Sequence, residues 1–380
     1  MIPTLTLLLS CLAGIAAIYH LLSILAVRHY FRTAPAIADG ECPPATILVP
    51  LCGVDFDAYG NYVTLCHQEY PRFQLVFGVQ DERDPSIAVV RHLIAEFPAC
   101  DIRLVVSSNI LGENRKVGNL HNMLAEARYD HIVIVDSDIR VGRDFLRSMV
   151  PHLNDPRVGL VTCFYRAAQA DNWVSRLEAI EITAEFLPSV VVARAVEGMT
   201  FALGAAMVTT AARLRDIGGF EAIADYLADD YMLGHLVHKA GYEVRLLPYV
   251  VETVLGPMGF VTMLIHQIRW ARVKRVCRSG GYLGLIVTYG TAFALMAAMM
   301  ARGAPIPLTM LAIVVGTRFL VGWLVAYRSF GDEIVKRYFW LIPVRDLLSF
   351  LIWCVSLTGR SIEWRGKTFE IARDGKMIPR

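Results

Sequence analysis

The stretch His131-Ile132-Val133-Ile134-Val135-Asp136-Ser137-Asp138 is an apolar run that ends in two carboxylates. Residues i and i+2 of an extended chain project to the same side, so Asp136 and Asp138 can face one cation. Hard divalent cations such as Mg²⁺ and Mn²⁺ take oxygen ligands, and a diphosphate is their natural companion. A lone Asp-Ser-Asp is also a common turn sequence. The rest of the chain decides between a metal site and a turn.

The composition indicates a membrane protein. Of the 380 residues, 55% are hydrophobic, and the mean hydropathy is +0.45, too apolar for an average soluble protein. The net charge of +2 is too small to indicate a nucleic-acid-binding protein. The eight cysteines form no Cys-x-x-Cys pair and no zinc-type cluster, which indicates reduced thiols in a cytoplasmic environment.

The N-terminal segment from Ile2 to Val27 has no acidic or basic charge and is long enough to cross a hydrocarbon core of about 30 Å as a helix. Arg28 and Arg32 follow it. Because basic residues prefer the cytoplasmic side, we expect the N-terminus outside and the following chain inside. The segment lacks the basic start and the small-residue cleavage site of a signal peptide, which favours an uncleaved anchor.

The C-terminal part contains three further apolar segments. Gly281 to Met300 and Pro305 to Tyr327 predict a helical hairpin, and basic residues at both of its ends place those ends in the cytoplasm. The segment Tyr338 to Gly359 contains a proline and an Arg-Asp pair, so crossing and re-entrant arrangements both stay open. Phe186 to Ala212 is interrupted by charges and is assigned to the soluble domain.

The region between these segments alternates strand-length apolar runs with helix-length segments, the pattern of a doubly wound parallel sheet. In such sheets ligands bind at the carboxyl ends of the strands. No Gly-x-Gly-x-x-Gly and no Walker sequence is present, which argues against dinucleotide oxidoreductases and P-loop NTPases. The predicted strands are Ala45 to Leu51, Gln74 to Val79, Ile102 to Val106, His131 to Val135 and Gly159 to Phe164, and the predicted helices include Pro85 to Phe97 and Lys116 to Ala127.

Three more motifs carry possible chemistry. Asn114 to Leu120 places Lys116 at a helix start, where phosphate binds well, although a solvated helix start explains it equally. Asp229 and Asp230 open a helix as either caps or a general base. His266 to Arg272 alternates apolar and basic residues, which predicts an interfacial amphipathic helix or a basic collar whose side chains snorkel.

Together these pieces resemble the membrane-bound ceramide glucosyltransferase-like enzymes, with their D, DxD, (D/E)D and (Q/R)xxRW series. Within that group the chain is most similar to the hopanoid biosynthesis glycosyltransferases of bacteria, above all in the stretch from His266 to Arg272 and in the tail Ile362 to Lys367. The matching segments are Pro50-Leu51-Cys52-Gly53-Val54-Asp55, Gln80-Asp81, Asp136-Ser137-Asp138, Asp229-Asp230 and Arg269-Trp270.

The resemblance implies an α/β GT-A fold, a Rossmann-like mixed sheet, with N- and C-terminal transmembrane helices. It implies a UDP-sugar donor, Mg²⁺ or Mn²⁺, and an inverting transfer onto a lipid hydroxyl. Asp81 would contact the uridine, Asp136 and Asp138 would hold the ribose and the metal-bound diphosphate, and Asp230 would be the general base. Arg269 and Trp270 would close over the substrates, and Arg269 would stabilise the departing diphosphate. The residues predicted to bind the nucleotide sugar are Pro50, Cys52, Gly53, Asp81, Lys116, Asp136 and His266.

One position departs from the family pattern. His266 stands where the series has Gln or Arg, and a histidine still donates a hydrogen bond to phosphate but is charged only near or below a pH of about 6.5. The expected order of domains is an anchor at 1–32, a cytoplasmic GT-A domain at 33–256, an interfacial helix at 257–280, membrane segments at 281–359 and a basic tail at 360–380.

The predicted function is the transfer of N-acetylglucosamine from a UDP-sugar to bacteriohopanetetrol, in the inner membrane of a bacterium with the catalytic domain in the cytoplasm. A ceramide glucosyltransferase that uses UDP-glucose is the nearest alternative. A transporter or membrane scaffold, from another class, predicts charges inside the confident spans, where only Arg318 qualifies. The expected partners are the donor, a lipid acceptor and the membrane, with no nucleic acid.

Overall fold

The computed structural model describes residues 2–34 and 40–380. Met1, in the predicted anchor, and residues 35–39, in the predicted catalytic domain, lie outside the described residues. The chain divides into two compact units. The helical unit comprises the described parts of Met1–Thr33, Ala170–Val196 and Pro257–Asp374, and the sheet unit comprises those of Ala34–Gln169, Glu197–Gly256 and Gly375–Arg380.

The sheet unit is built on an eight-stranded mixed sheet. Its strands are β1 (Ala45–Pro50), β2 (Phe73–Val79), β3 (Asp101–Val106), β4 (His131–Val135), β5 (Ile139–Arg140), β6 (Val158–Ala170), β7 (Ala206–Thr210) and β8 (Glu243–Leu255). They lie in the order β3-β2-β1-β4-β7-β6-β8-β5. Strands β3, β2, β1 and β4 pair in parallel, whereas β7 is antiparallel to both β4 and β6, and β5 is antiparallel to β8. The parallel pairing predicted from the apolar runs is found in β1 to β4, and the sheet as a whole is the mixed sheet that the resemblance implied.

Helices cover both faces of this sheet, as the apolar strands require. Alternate residues of β1 point to opposite sides: Ile47 and Val49 pack in one apolar cluster and Leu48 packs in the other. The helices of the sheet unit are α2 (Ala58–Cys66), α3 (Ser86–Glu96), α4 (Arg115–Leu124), α5 (Phe145–Met149), α8 (Ala211–Asp216) and α9 (Asp229–Lys239).

The parallel half of the sheet brings the polar segments together at one edge. Ala45 pairs with Phe73 and with His131, so β1, β2 and β4 run side by side in the same direction. Their carboxyl ends are followed by the segments 51–55, 80–81 and 136–138. The predicted ligand edge is therefore present in the fold.

The helical unit contains the long N-terminal helix and most of the chain after residue 257. In the helix Phe260–Cys277, Arg275 donates a hydrogen bond to the carbonyl of Gly359 (2.6 Å) and Arg272 donates one to the carbonyl of Ser361. The predicted basic tail therefore begins as a hairpin held along that helix. The helices are α1 (Ile2–Thr33), α6 (Trp173–Glu181), α7 (Leu187–Glu197), α10 (Phe260–Cys277), α11 (Ser279–Gly284), α12 (Gly290–Met300), α13 (Pro305–Val321), α14 (Glu333–Tyr338) and α15 (Ile342–Ser356), and the tail forms β9 (Ser361–Trp364), β10 (Lys367–Ile371) and β11 (Met377–Pro379), the last in the sheet unit.

Three helical segments within the described residues are long and apolar enough to cross a membrane: Pro3–Thr33, Pro305–Tyr327 and Glu333–Ser356. The third overlaps the last apolar segment, which the charge pattern left undecided. The predicted straight span from Gly281 to Met300 is instead a pair of helices, Ser279–Thr288 and Gly290–Met300, bent by 48°. Such a bend is typical of a broken span or a re-entrant loop.

The segment 170–196 groups with the helical unit, which differs from the predicted continuous domain at 33–256. One reason is a buried ion network inside the helical unit, formed by Arg318, Asp346, Glu185 and Arg345. Arg318 donates hydrogen bonds to Asp346 Oδ1 from Nε (2.9 Å) and Nη2 (2.7 Å), and to the carbonyl of Ala184 from Nη1 (2.8 Å). Glu185 Oε2 lies 3.6 Å from Arg345 Nε. The π-helical segment Ile182–Phe186 is thereby bound to two of the candidate spans.

Candidate active site

Asp136 and Asp138 lie on the turn that follows β4. The Asp136 amide donates to the carbonyl of Ala205 (3.2 Å), which continues the pairing of β4 with β7. Asp138 is fixed by β8, because its Oδ2 accepts a hydrogen bond from Thr253 Oγ1 (2.7 Å) and its carbonyl accepts one from the Val254 amide (2.9 Å). The turn is thus held at Asp136 by the segment that precedes β7 and at Asp138 by β8.

Lys116 binds two carboxylates of this edge. Asn114 caps α4 by accepting a hydrogen bond from the Val117 amide (3.2 Å), and this helix start carries Lys116. Lys116 Nζ lies 2.6 Å from Asp136 Oδ1 and 3.3 Å from Asp229 Oδ2. Burial disfavours the charged ammonium, but the two carboxylates outweigh burial and raise the pKa of Lys116. The interpretation of this helix start as merely solvated is wrong.

Asp229 and Asp230 lie in the first turn of α9. Ala228 is the N-cap, so neither acid serves as that cap, and both lie near the positive end of the helix dipole. Asp230 Oδ1 accepts a hydrogen bond from the Tyr231 amide (2.7 Å). A Cβ atom on Gly204 would come within 2.8 Å of Asp230 Oδ2, so only glycine fits there without displacing the carboxylate.

The pKa values show that negative charge is in excess here. Burial raises the pKa of Asp138 to about 6, and the Asp136 carboxylate adds to the effect. Burial and the Asp229 carboxylate raise the pKa of Asp230 to about 6, whereas Lys116 opposes the shift. We call Asp136, Asp138, Asp229, Asp230 and Lys116 the acidic site. A bound cation would offset its uncompensated charge.

The described residues do not by themselves form a complete metal cage. In the described ranges 2–34 and 40–380, no group of three or more His, Cys, Asp and Glu side chains is arranged to hold a metal ion. Magnesium commonly binds through one or two carboxylates and completes its shell with substrate phosphates and water. Asp136 and Asp138 match that donor set if a diphosphate supplies the other oxygens.

The loop after β1 approaches the Asp-Ser-Asp turn. Ser137 Oγ donates a hydrogen bond to Asp55 Oδ2. Gly53 has φ +75°, a left-handed conformation that favours glycine, and its amide donates to Asp84 Oδ2 (2.8 Å). Pro50 is buried at the end of β1, and Cys52 is exposed. The three predicted positions Pro50, Cys52 and Gly53 therefore lie at the end of β1 and on the loop that approaches this turn.

Asp81 is separate from these contacts. It is exposed on the loop after β2, and its Oδ1 accepts a hydrogen bond from the Arg83 amide of the same loop (2.9 Å). The uridine contact predicted for Asp81 stays a prediction.

Three residues that shape this edge were not predicted from the sequence: Asn119, Asp84 and Thr253. Asn119 donates from Nδ2 to the carbonyls of Gly78 (2.7 Å) and Leu51 (3.3 Å), and so joins the ends of β1 and β2. Its place three residues after Lys116, on the same face of α4, was the available signal. Asp84 could have been found as a third acid after β2. Thr253, in a strand far along the chain, gave no signal.

His266, Arg269 and Trp270 lie on α10 in the helical unit. Trp270 is 40% exposed, and its ring lies 5.6 Å from the His266 ring in an edge-to-face arrangement. Burial and the nearby Arg365 charge lower the pKa of Arg269 to about 10, and Glu178 opposes the shift. These three side chains belong to the helical unit, whereas the residues of the acidic site belong to the sheet unit.

Comparison with known sequences identifies a family. The model of a family described as glycosyl transferase family 21 matches residues 7–377. Ceramide glucosyltransferase 1 of Caenorhabditis elegans is 24% identical over 237 residues, 62% of this chain and 51% of that protein. The ceramide glucosyltransferase of Candida albicans is 31% identical over 121 residues, 29% of this chain and 22% of that protein. The chain spans about half the length of the first of these relatives.

Comparison with solved structures concerns the fold. The mannosyltransferase PcManGT from Pyrobaculum calidifontis, solved in complex with GDP-Man and Mn²⁺, superimposes with a TM-score of 0.56 at 17% identity, covering 92% of this chain and 98% of that one. The mixed sheet with its parallel half therefore has a GT-A-like glycosyltransferase fold, as the sequence predicted.

Proposed function

The chain belongs to glycosyl transferase family 21, and from this premise we propose that it transfers a sugar from a nucleotide sugar to a lipid hydroxyl. The observation that carries the proposal is the acidic site at the carboxyl ends of the parallel strands. There Lys116 Nζ lies 2.6 Å from Asp136, and four buried or half-buried carboxylates outnumber the one ammonium of the acidic site. A metal-bound diphosphate has the charge and the oxygens that this arrangement lacks.

Asp136 and Asp138 are the residues that would hold Mg²⁺ or Mn²⁺ together with the donor. Burial and the neighbouring carboxylates raise the pKa values of both residues, and this supports the role, because a divalent cation favours the ionised form that burial and repulsion disfavour. When bound, the cation would neutralise charge on the diphosphate leaving group. Lys116 would turn toward the phosphates as Asp136 engages the cation. Pro50, Cys52, Gly53 and Asp81 are proposed to contact the nucleoside.

Asp230 is the proposed general base. Its pKa of about 6 leaves it mostly ionised at pH 7 yet basic enough to accept a proton. In the proposed step, Asp230 takes the proton of the acceptor hydroxyl while that oxygen bonds to the anomeric carbon. The carbon–oxygen bond to the diphosphate breaks, and its electron pair leaves with the nucleotide. A single displacement of this kind inverts the anomeric centre and needs no carboxylate nucleophile.

Arg269 and Trp270 are proposed to close over the substrates, with Arg269 stabilising the charge that develops on the diphosphate. The (Q/R)xxRW pattern supports these roles. A guanidinium partly removed from water, as the lowered pKa of Arg269 shows, is a strong partner for phosphate once it binds.

The proposed acceptor is a lipid, because three segments are apolar enough to span a membrane. Two stretches of the chain, from His266 to Arg272 and from Ile362 to Lys367, resemble the hopanoid biosynthesis glycosyltransferases. This resemblance supports bacteriohopanetetrol as the acceptor and UDP-N-acetylglucosamine as the donor. A ceramide acceptor with UDP-glucose is the second candidate, since the curated relatives carry that name. Arg28 and Arg32 after α1 support a sheet unit on the cytoplasmic side of a bacterial inner membrane.

A two-by-two assay tests this proposal. Purified protein in detergent receives Mg²⁺ or Mn²⁺, bacteriohopanetetrol or ceramide, and UDP-N-acetylglucosamine or UDP-glucose. We expect N-acetylglucosamine on the hopanoid only, and no product from Asp138→Ala. Glucose on ceramide would instead favour the second candidate. Absence of UDP release in all four combinations would contradict both.

A further inference from the structure

Helices α6 and α10 pack side by side and run in the same direction. The Asn172 amide side chain caps α6 and donates to the carbonyl of Met258 (2.8 Å), just before α10. The rings of Trp173 and Phe260 stack at 5.5 Å, and farther along Glu181 lies 3.5 Å from Lys274. Residues near the start of α6 contact residues near the start of α10, and residues near its end contact residues near the end of α10. These contacts fix the position of one helix along the other.

Between these contacts lies a buried carboxylate to which the proposed mechanism gives no role. Glu178 is only 5% exposed, and its Oε1 lies 2.9 Å from His266 Nδ1 on α10. Two lone pairs cannot approach so closely, so a proton lies between them and, for an ionised carboxylate, it is on Nδ1. The imidazole therefore has a defined orientation, with Nε2 pointing away from Glu178.

The second oxygen of Glu178 is the unusual feature. Glu178 Oε2 is buried and, in the part of the chain that the structure describes, has no hydrogen-bond partner. A buried, half-paired carboxylate reduces stability compared with an apolar side chain of similar size. With this geometry Glu178 contributes little to stability. We therefore look for its role in the orientation and charge of the side chains beside it.

Those neighbours are the residues of the (Q/R)xxRW pattern. His266 contacts Glu178 directly and packs edge-to-face on Trp270 at 5.6 Å, and the Glu178 charge favours the protonated form of Arg269. On the other side of α10, Gln267 Oε1 accepts a hydrogen bond from buried Arg345 (3.0 Å). Adjacent side chains of the motif are thus held by two different helices.

We propose that Glu178 is the positioning residue of this motif: it orients His266, so that an imidazole performs the task of the Gln or Arg found at that position elsewhere in the family. The second imidazole nitrogen, Nε2, points away from Glu178 and would bind the diphosphate of the nucleotide sugar. This inference rests on the proposed function for its ligand but not for the Glu178–His266 pairing itself.

A double-mutant cycle tests the positioning role. Glu178→Met removes the carboxylate and keeps the length of the side chain, and His266→Gln installs a residue that needs no fixed tautomer. We expect Glu178→Met to lower kcat/KM about tenfold or more in the wild-type background and less than about twofold beside His266→Gln. Equal losses in both backgrounds, or no loss in the wild type, would overturn the proposal. Glu181→Gln, on the same helix, is the matched control and should retain activity.

Thermal unfolding separates positioning from a structural role. Because Glu178→Met removes a half-paired buried charge, we expect its unfolding temperature to equal or exceed that of the wild type. A lowered unfolding temperature together with lowered activity would show that Glu178 is structural and would overturn the proposal.

A measurement without turnover covers the case in which the transfer activity itself fails. In ¹⁵N-histidine-labelled protein, the His266 signals are assigned by their absence from His266→Gln. We expect a protonated Nδ1 in the wild type and its loss in Glu178→Met. An unprotonated Nδ1 in the wild type would contradict the pairing, whatever the outcome of the sugar-transfer assay.

Discussion

The two units both contain buried charges, but they balance them differently. In the helical unit the ion network has two arginines and two carboxylates, and Arg318 makes a bidentate pair with Asp346 that Thr291 completes with a hydrogen bond (2.6 Å). In the acidic site of the sheet unit four carboxylates share one ammonium, that of Lys116. Charge is compensated within the protein in one unit and is left uncompensated in the other.

This difference separates a structural task from a binding task. A network of two arginines and two carboxylates fixes helices that are apolar enough to cross a membrane, and its positive and negative charges are equal in number. An unbalanced cluster raises the pKa values of its own carboxylates, which the protein tolerates because a cation and a diphosphate can complete it.

The largest effect is expected at the acidic site. Asp230→Asn removes the proposed base while it keeps the shape of the side chain, so kcat should fall about 10²- to 10⁴-fold. Steady-state kinetics with the preferred substrate pair measures the change, and circular dichroism shows whether the fold is intact. Asp216→Asn, at an exposed carboxylate of the same unit that accepts from Tyr242 (2.7 Å), is the control and should behave as wild type. Near-full turnover of folded Asp230→Asn would remove Asp230 from the mechanism.

In the helical unit the corresponding change should affect stability. Asp346→Ala leaves Arg318 buried without its carboxylate, and we expect a loss of about 3–5 kcal/mol in the free energy of unfolding. Replacing both partners with methionine should recover most of that loss, because no uncompensated charge then remains. Thermal and chaotrope unfolding in detergent compare the two variants. If the double variant were as unstable as Asp346→Ala, charge balance would not be the reason for the network.

The pH dependence of kcat/KM tests the excess of negative charge at the acidic site, because kcat/KM reports the pKa values of the free enzyme. Asp230 acts as a base only when it is ionised, and burial raises its pKa to about 6, so kcat/KM should fall about tenfold for each pH unit below that value and level off above it. Lys116 lowers the pKa of Asp230, so Lys116→Met should move this limb of the profile to higher pH. A profile with its acidic limb near pH 4 would show that the carboxylates are not perturbed.

The smallest effect is expected where a pair is not buried. Arg103 and Glu126 lie 2.8 Å apart with both side chains nearly half exposed. Arg103→Ala should change the free energy of unfolding by less than about 1 kcal/mol, because water screens the pair. A loss comparable to that of Asp346→Ala would show that pairing, rather than burial, sets the energies in both units.

The sequence predicted the parallel half of the sheet well because each strand there is a continuous apolar run with a polar end. The boundaries of β4 were predicted to the residue, and those of β1, β2 and β3 to within one residue. The antiparallel half was not predicted from the pattern, since strand order and direction depend on which edges pair. β6, for example, continues to Ala170, well beyond the predicted Phe164.

The individual motifs of the candidate site were predicted, but the contacts between residues distant in sequence were not. Asp136, Asp138 and Asp230 each stand in a motif that chemistry makes recognisable. The partners that hold them come from distant positions: Thr253 lies 115 residues after Asp138, and Lys116 reaches Asp229 across 113 residues. Glu178, beside His266, is likewise an unremarkable acid until the two helices are seen together. Such pairs are set by tertiary packing, which one sequence does not reveal.

The most direct test of the account is the binding of UDP by calorimetry, with and without Mn²⁺, to the wild type and to Asp138→Asn. If the uncompensated charge of the acidic site is completed by a metal-bound diphosphate, the wild type should bind UDP at least about tenfold more tightly when Mn²⁺ is present, and Asp138→Asn should lose that gain. Equal affinity for UDP with and without the metal, or a gain that persists in Asp138→Asn, would contradict it.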